Sequence, residues 1–582
     1  MTALDWIIVA ISLLALFGLG LWVSRRGTGS MADFFVAGRS LPWWLAGTSM
    51  LATSFASDTP LHVTRMIREH GLSGAWFYWS GILYGVAVAF FFARLWRRTG
   101  VVTDPEMIEL RYSGRPAAVL RVSAAFFRGV VLEIITLSWV ILGMTKMIAV
   151  LVDLPETFVV AGFEARSDVA VVIVLITIAL SYSVTSGLWG VVVTDLVEFG
   201  VAMLGAIVLA YIAVDRVGGP RGLVEGLAEH HDGTTLDFLP SLDGAAVPAI
   251  AIGVYFGVQW WSTPYIDGSG QRAQRFLSCK NEGNALLSGV WNMLVQWVFR
   301  SWPWYLTALA SILLYPDLVD HETAYPRMIA DLMPAGLRAL MVASFFAAFM
   351  STVDSLLNLC GGYLSNDVYR RFVKRDASER HYLVVSRIIL VSLAVIAGVL
   401  ALLMPSVLSA FRLKMELMAG LGLVTILRWF WWRVNGLTEL VTLATSMLTA
   451  VVLRLDPELG ASGTGPSATR ILIICGVSGA VTLLTASFTK PEPRARLVAF
   501  YERVRPPAWL WGPVALEATE GRSSIGLDTL GQYVVCLAMI FCAMFGLGKL
   551  LLGMFVPAMV LLAVAAAAAA VLWKWVLADA AR

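Results

Sequence analysis

Apolar stretches of about 20 residues, each long enough to cross a hydrocarbon layer as a helix, recur about fifteen times along this 582-residue chain. They fall near 4–23, 41–67, 72–95, 123–151, 168–184, 189–214, 247–267, 284–315, 335–364, 383–404, 408–430, 436–454, 470–488, 530–548 and 555–576. Lipid offers no hydrogen-bond partner to a backbone, so runs this long and continuous fold only as helices that satisfy their own N–H and C=O groups. Composition agrees: 58% of residues are hydrophobic and 14% are charged, against about 25% charged in soluble domains. The expected fold class is therefore all-α and polytopic, in contact with the lipid bilayer.

A net charge of +3, with the basic residues in short loops, is a topology signal and speaks against a nucleic-acid partner. Arg25, Arg26 and Arg39 precede the second span, Arg94, Arg97 and Arg98 end the third, and Arg370, Arg371 and Lys374 follow the ninth. Intervening loops carry Asp153, Glu156 and Glu164, and then Asp317, Asp320 and Glu322. This alternation predicts a plasma-membrane protein (inner membrane in a Gram-negative source) with its N-terminus outside and its C-terminus in the cytoplasm. Trp6 to Val23 lacks a small-residue cleavage site and reads as a retained span. The cysteines, Cys279, Cys360, Cys475, Cys536 and Cys542, show no paired or metal-binding spacing. No HExxH or GxSxG pattern points to an enzyme.

Two spans are interrupted. Ser54-Phe55-Ala56-Ser57-Asp58-Thr59-Pro60 breaks the second, and Gln259-Trp260-Trp261-Ser262-Thr263-Pro264 leads the seventh into Asp267-Gly268-Ser269-Gly270. Proline removes a helix hydrogen bond, and irregular backbone at membrane depth persists only beside a cavity. With the N-terminal helix set aside, these are the first and sixth helices, and such a pair marks the midplane site of an inverted-repeat transporter.

A third polar feature sits in the ninth span, from about Leu337 to Tyr363. At about 100° per residue, Ala348, Ser351, Thr352 and Ser355 share a face, with Asp354 about 60° from Ser351. A carboxylate at that depth costs about 2.5–3.5 kcal/mol on insertion scales, so the cluster is expected to line an ion path. Hydroxyl, carbonyl and carboxylate oxygens suit a hard cation.

Phe34-Phe35-Val36-Ala37-Gly38-Arg39-Ser40-Leu41-Pro42-Trp43-Trp44, Ser186-Gly187-Leu188-Trp189 with Thr194-Asp195, Ala273-Gln274-Arg275-Phe276, and Ala348 to Ser355 resemble, in order, the sodium/solute symporter family of sodium-coupled glucose, proline and sialic acid carriers. The resemblance covers roughly residues 1–430. It implies the LeuT fold, a five-plus-five inverted repeat with one extra N-terminal helix and about four extra C-terminal helices. The segments would be 1–40 as N-terminal helix and cytoplasmic lead-in, 41–215 as first repeat, 216–246 as extracellular loop, 247–430 as second repeat, and 431–582 as accessory helices with a cytoplasmic loop near 489–529.

Carried onto this sequence, the resemblance implies a principal sodium site made by the carbonyls of Ala52, Phe55 and Ala348 and the hydroxyls of Ser351 and Thr352. A second sodium site would take Asp195 with Ser351, Asp354 and Ser355, although serines stand in the family where Asp354 stands here. By position the solute lies among Asp58, Thr59, His62, Gln259, Trp260 and Trp261, which suit a sugar or polyol, an amino acid or a carboxylate. The expected function is sodium-coupled symport of a small polar solute, with sodium as cargo. A proton-coupled carrier of the same fold and a transporter-like sensor are the alternatives. Glu133, Arg412, Lys414 and Glu416 are further intramembrane charges, read as gate or substrate groups or, in the commoner role, as partners paired near a helix end.

Overall fold

The computed structural model describes residues 2–24, 36–54, 56–101, 104–160, 163–182, 188–230, 233–239, 249–456, 458, 464–519 and 525–580. Phe55, and motif residues 34–35 and 186–187, lie outside the described residues. Among the described residues the regular structure is helical apart from a β-hairpin, in which β1 (Thr157–Val160) pairs antiparallel with β2 (Phe163–Arg166).

In chain order the helices are α1 (Ala3–Ser24), α2 (Trp43–Thr53), α3 (Asp58–His70), α4 (Leu72–Thr99), α5 (Glu106–Arg111), α6 (Gly114–Val152), α7 (Ser167–Tyr182), α8 (Leu188–Arg216) and α9 (Gly219–Leu227). The second half has α10 (249–262), α11 (Gln271–Ser278), α12 (282–314), α13 (Ala324–Leu332), α14 (Leu337–Val373), α15 (Glu379–Leu403), α16 (Val407–Met418) and α17 (Gly422–Phe430). After it come α18 (Gly436–Leu455), α19 (Thr464–Phe488), α20 (Arg494–Val504), α21 (Gly512–Ala515), α22 (Leu527–Leu551) and α23 (Phe555–Ala580).

Among the described residues, nine helices are long and apolar enough to cross a membrane unaided. The stretches near 41–67 and 247–267 are broken where the prolines predict it. α2 stops at Thr53 and α3 starts at Asp58, with Pro60 in the first helical turn, where no hydrogen bond is lost. α3 ends at Gly71, whose φ of +67° suits glycine as a helix stop. α10 runs through a π-turn at Tyr255–Gln259 and gives way at Thr263 to extended backbone before α11.

The stretch 489–529, expected as plain loop, instead holds α20 and α21. Several of its aromatic residues are buried: Phe500, Tyr501 and Trp511 pack with Trp429 and Trp96, and the Trp511 indole donates to the Trp429 carbonyl at 2.9 Å. Arg111 lies over the Trp511 ring at 4.9 Å and donates to the carbonyls of Arg428, Trp431 and Val434. The segment is too polar to read as a span, which is why sequence periodicity leaves it as loop.

α22 and α23 form a hairpin against α4 and α12. The contact turns on Trp302, which is 1% exposed and donates its indole N–H to the Met544 carbonyl at 2.9 Å. A Cβ on Gly548 would stand 1.8 Å from the Trp302 ring. Gly548→Leu should therefore cost about 1–3 kcal/mol by overpacking and lower the melting temperature of the purified protein. Gly476→Ala, at an open helical position, should leave it unchanged or raise it. Equal melting temperatures for the two variants would remove Trp302 as the anchor of the hairpin.

Candidate functional site

The break between α2 and α3 is held from several sides. α6 comes close enough that a Cβ on Gly143 would meet the Asp58 backbone at 2.9 Å, so only glycine admits this approach. From α12, a π-turn at Val295–Arg300 delivers a buried guanidinium to the break. One Nη of Arg300 donates to the Leu51 carbonyl at 3.4 Å, the Ser54 carbonyl at 3.2 Å and the Ser54 hydroxyl at 3.0 Å. The other Nη donates to the Tyr78 hydroxyl at 3.1 Å.

Arg300 is absent from the residues expected from sequence. The signal that could have found it is a single charge inside an apolar stretch, which is expensive in lipid and therefore functional by default.

Of the residues expected to meet solute, Asp58, Thr59, His62 and Gln259 are buried. The Asp58 carboxylate is buried at the start of α3, and its Oδ1 has no hydrogen-bond partner. The His62 Nδ1 lies 3.1 Å from the Asp58 carbonyl. A carbonyl only accepts, so the proton sits on Nδ1 and the neutral ring presents a lone pair at Nε2. The ring stacks on Phe411 at 5.6 Å and meets Tyr78 edge-on at 5.7 Å. Gln259 donates to the Met415 sulfur at 3.1 Å. Phe411 and Met415 stand one turn apart on α16, so both breaks border the same helix face. Trp260 and Trp261 are only partly buried, and the Trp261 indole is spent on the Gly257 carbonyl at 2.8 Å.

Ala52 closes α2, and Ala348, Ser351, Thr352, Asp354 and Ser355 lie on α14. Ser351 donates to Asp195 of α8 at 2.9 Å and Ser49 of α2 donates to its other oxygen at 3.1 Å, so this carboxylate ties three helices. Thr352 is 5% exposed and its hydroxyl has no hydrogen-bond partner. Asp354 is buried and Ser355 half-buried. The opposite charge acting on Asp195 is Arg275 of α11, which donates to Ser49 at 3.4 Å and to Thr53 at 3.3 Å. Glu198, one turn along α8, is 8% exposed and acts on Asp195 as a like charge. It is a second residue that sequence reading passed over.

Charge networks seal both sides of this core. On the acidic-loop side Lys146 pairs with Asp320 at 2.8 Å and Glu322 at 2.6 Å, while Glu322 accepts from the N–H groups of Val407 and Leu408. On the basic-loop side Glu133 accepts from Tyr265 at 2.7 Å and pairs with Lys414 at 3.4 Å. Asp104 there accepts from Tyr363 at 2.6 Å and from Arg128 and the Gly270 N–H, each at 3.3 Å. Glu416 is held by Arg454 and Arg470. The expected pairing of these intramembrane charges is thus found for Glu133, Lys414 and Glu416.

The arrangement can hold a hard cation on oxygens and a small solute beside it, and it assembles no group of three or more metal-binding side chains among the described residues. Comparison with known proteins places the chain among transporters. A sodium/glucose cotransporter of Vibrio parahaemolyticus is 26% identical over 78% of this chain and 86% of its own length. Sodium/glucose cotransporter 1 of Oryctolagus cuniculus is 26% identical over 85% of this chain and 80% of its own length. For sodium/glucose cotransporter 4 of Mus musculus, 27% identical, the match spans 59% of that protein.

In fold, the chain is similar to a Na+-coupled sialic acid symporter solved in a substrate-bound, outward-open state. The TM-score is 0.64 at 18% identity, over 84% of this chain and 99% of that one. The sequence pattern of the sodium:solute symporter family matches residues 34–444, and the chain therefore belongs to that family, as a multi-pass membrane protein and not an enzyme.

Proposed function

We propose that the chain imports a small polar organic solute into the cytoplasm by alternating access, driven by one sodium ion bound between the break in the first core span and α14. The observation that carries this reading is the Thr352 hydroxyl, buried without a partner on the polar face that also holds Ser351. A buried hydroxyl left unpaired costs about 1–3 kcal/mol, so it is expected to have a ligand in the loaded state. Ala52, Phe55, Ala348, Ser351 and Thr352 are its proposed ligands.

The second site, at Asp195 with Ser351, Asp354 and Ser355, is unfavourable for sodium while Arg275 stands beside Asp195, because the guanidinium already supplies the counter-charge. One sodium ion is sufficient. Moving down about 100 mV and a tenfold gradient it releases about 2.3 plus 1.4 kcal/mol, which concentrates a neutral solute several hundredfold.

In the proposed cycle, ion and solute enter from the acidic-loop side after the Lys146–Glu322 contacts part. The break closes around both, and loss of the Tyr265–Glu133–Lys414 and Asp104 contacts opens the path to the cytoplasm. Sodium drives this only if it binds the two arrangements unequally.

Thr352→Ala should raise the sodium concentration for half-maximal uptake about fivefold, the equivalent of one lost interaction of about 1 kcal/mol, with the melting temperature in sodium-free buffer unchanged. An unaltered sodium requirement would count against the site. Uptake by the unaltered protein should follow sodium with a Hill coefficient of about one, and Arg275→Gln, by freeing Asp195, should push it upward. A coefficient near two before any substitution, or uptake indifferent to sodium, defeats the one-ion reading.

A further inference from the structure

Where α4 ends on the basic-loop side, positive charge collects without matching acids. Arg97 and Arg98 lie in the last turn of α4, and Arg503 lies in the last turn of α20. Arg39 and Lys280 stand on two segments joined by backbone hydrogen bonds between Leu41 and residues 278 and 280. The Arg39 guanidinium donates to the Gly100 carbonyl at 2.6 Å. Arg97 donates to the carbonyls of Cys279 at 2.9 Å and Lys280 at 3.3 Å. Arg98 reaches the Val504 carbonyl at 3.2 Å and pairs with Glu282 at 2.7 Å. Carbonyls accept hydrogen bonds but bring no net charge, and among the described residues no ion pair reaches Arg39, Arg97 or Arg503.

Two of these cations face each other. A Cβ built on Gly100 would stand 3.0 Å from an Arg503 Nη and 3.7 Å from an Arg39 Nη, so the two guanidinium groups flank the open side of one glycine. Arg39 is brought there by a turn in which Ala37, Gly38 and Arg39 take φ of +49°, +58° and +55°. That conformation is costly for a residue with a Cβ, and such strain collects at sites that bind. Arg503 is exposed and makes no hydrogen bond among the described residues.

We propose that this cleft binds the phosphate of an anionic phospholipid, whose oxygens bridge Arg39 and Arg503 and so clasp α20 to the end of α4.

Two guanidinium forks converging on one point suit a tetrahedral phosphate, which accepts charge-assisted hydrogen bonds from both. Place and neighbours favour a membrane source. α4 is long and apolar enough to cross the bilayer, so its basic last turn stands at head-group level. Basic pockets between spanning helices at that level are head-group sites. Trp509 and Leu516, on the segment that carries Arg503, are 73% and 89% exposed, and the membrane interface is where such side chains settle. Neither the ion nor the solute reading is needed for this site.

The full-length protein is purified in detergent, stripped of lipid, and its unfolding followed with phosphatidylglycerol, phosphatidylcholine or inorganic phosphate added. Phosphatidylglycerol should raise the melting temperature by about 2 °C or more over phosphatidylcholine, and millimolar inorganic phosphate should leave it unchanged. Arg503→Gln should raise the phosphatidylglycerol concentration needed for half of that shift about fivefold. In lipid-free detergent the same variant should melt at or above the temperature of the unaltered protein, because a repulsion has been removed. Arg503→Glu, able to pair with Arg39, should melt higher still without lipid and lose the response. Lys374→Gln removes an exposed cation elsewhere on the basic-loop side and should keep the full response.

Equal stabilisation by phosphatidylcholine overturns the proposal, as does an undiminished response in Arg503→Gln. A response weakened as much by Lys374→Gln reduces the effect to general surface charge and also defeats it. A lower lipid-free melting temperature in Arg503→Gln makes this arginine a structural strut and defeats it too. Stabilisation by inorganic phosphate equal to that by phosphatidylglycerol overturns the lipid assignment in favour of a soluble phosphate.

Discussion

A span that stops and restarts in lipid must satisfy backbone groups that the solvent cannot, at a cost of several kcal/mol for each one left bare. The α2–α3 break can exist only because neighbouring elements converge on it. Gly143 lets α6 close in on Asp58, and the π-turn of α12 turns Arg300 toward the carbonyls of Leu51 and Ser54. Without the guanidinium both carbonyls would lose a charged donor, leaving Leu51 the Ser54 N–H and hydroxyl among its donors, and the unwound turn would have reason to rewind. Solute recognition and ion binding both depend on that turn staying open.

The two seals use the same pair of helices. α6 carries Glu133 at one seal and Lys146 at the other, thirteen residues apart, or about 20 Å along a helix at 1.5 Å per residue. α16 presents its first N–H groups to Glu322 and, a little over a turn and a half later, Lys414 to Glu133. α6 and α16 thus form a fixed frame spanning the site, and the groups that reach across to them differ on each side. Glu322 does so from the acidic-loop side and Tyr265, just past the second break, from the basic-loop side. Separate partners on a common frame allow one seal to part while the other holds, which alternation requires.

Much of this was legible in the sequence, for physical reasons that differ by element. Both breaks were visible because proline, glycine and small polar residues have no reason to sit in lipid except beside a cavity, and Ser351 and Thr352 were visible because a helix repeats every 3.6 residues. Arg300 was not, since its role depends on a π-turn that rotates it toward α2, and no periodicity encodes that extra residue. The opposition of Arg275 to Asp195 joins residues 80 positions apart and follows only from the packing of α11 on α2. α20 and α21 escaped because they are short and bury aromatic rings against Trp96 at the end of α4 and Trp429 at the end of α17, a contact that no local periodicity encodes.

The adjacency of the resident cation and the proposed sodium site suggests how solute and ion are coupled without touching. Arg300 grips the carbonyls of Leu51 and Ser54, and sodium is proposed to grip Ala52 in the same turn from the α14 side. Each holds open the backbone geometry that the other needs, because carbonyls of one unwound turn cannot rotate independently. Loss of sodium would let the turn relax and carry Arg300 with it. On the proposed reading, the differential affinity that drives transport is stored in the shape of four residues of backbone, from Leu51 to Ser54, and the solute gains from the ion's charge only through that shape.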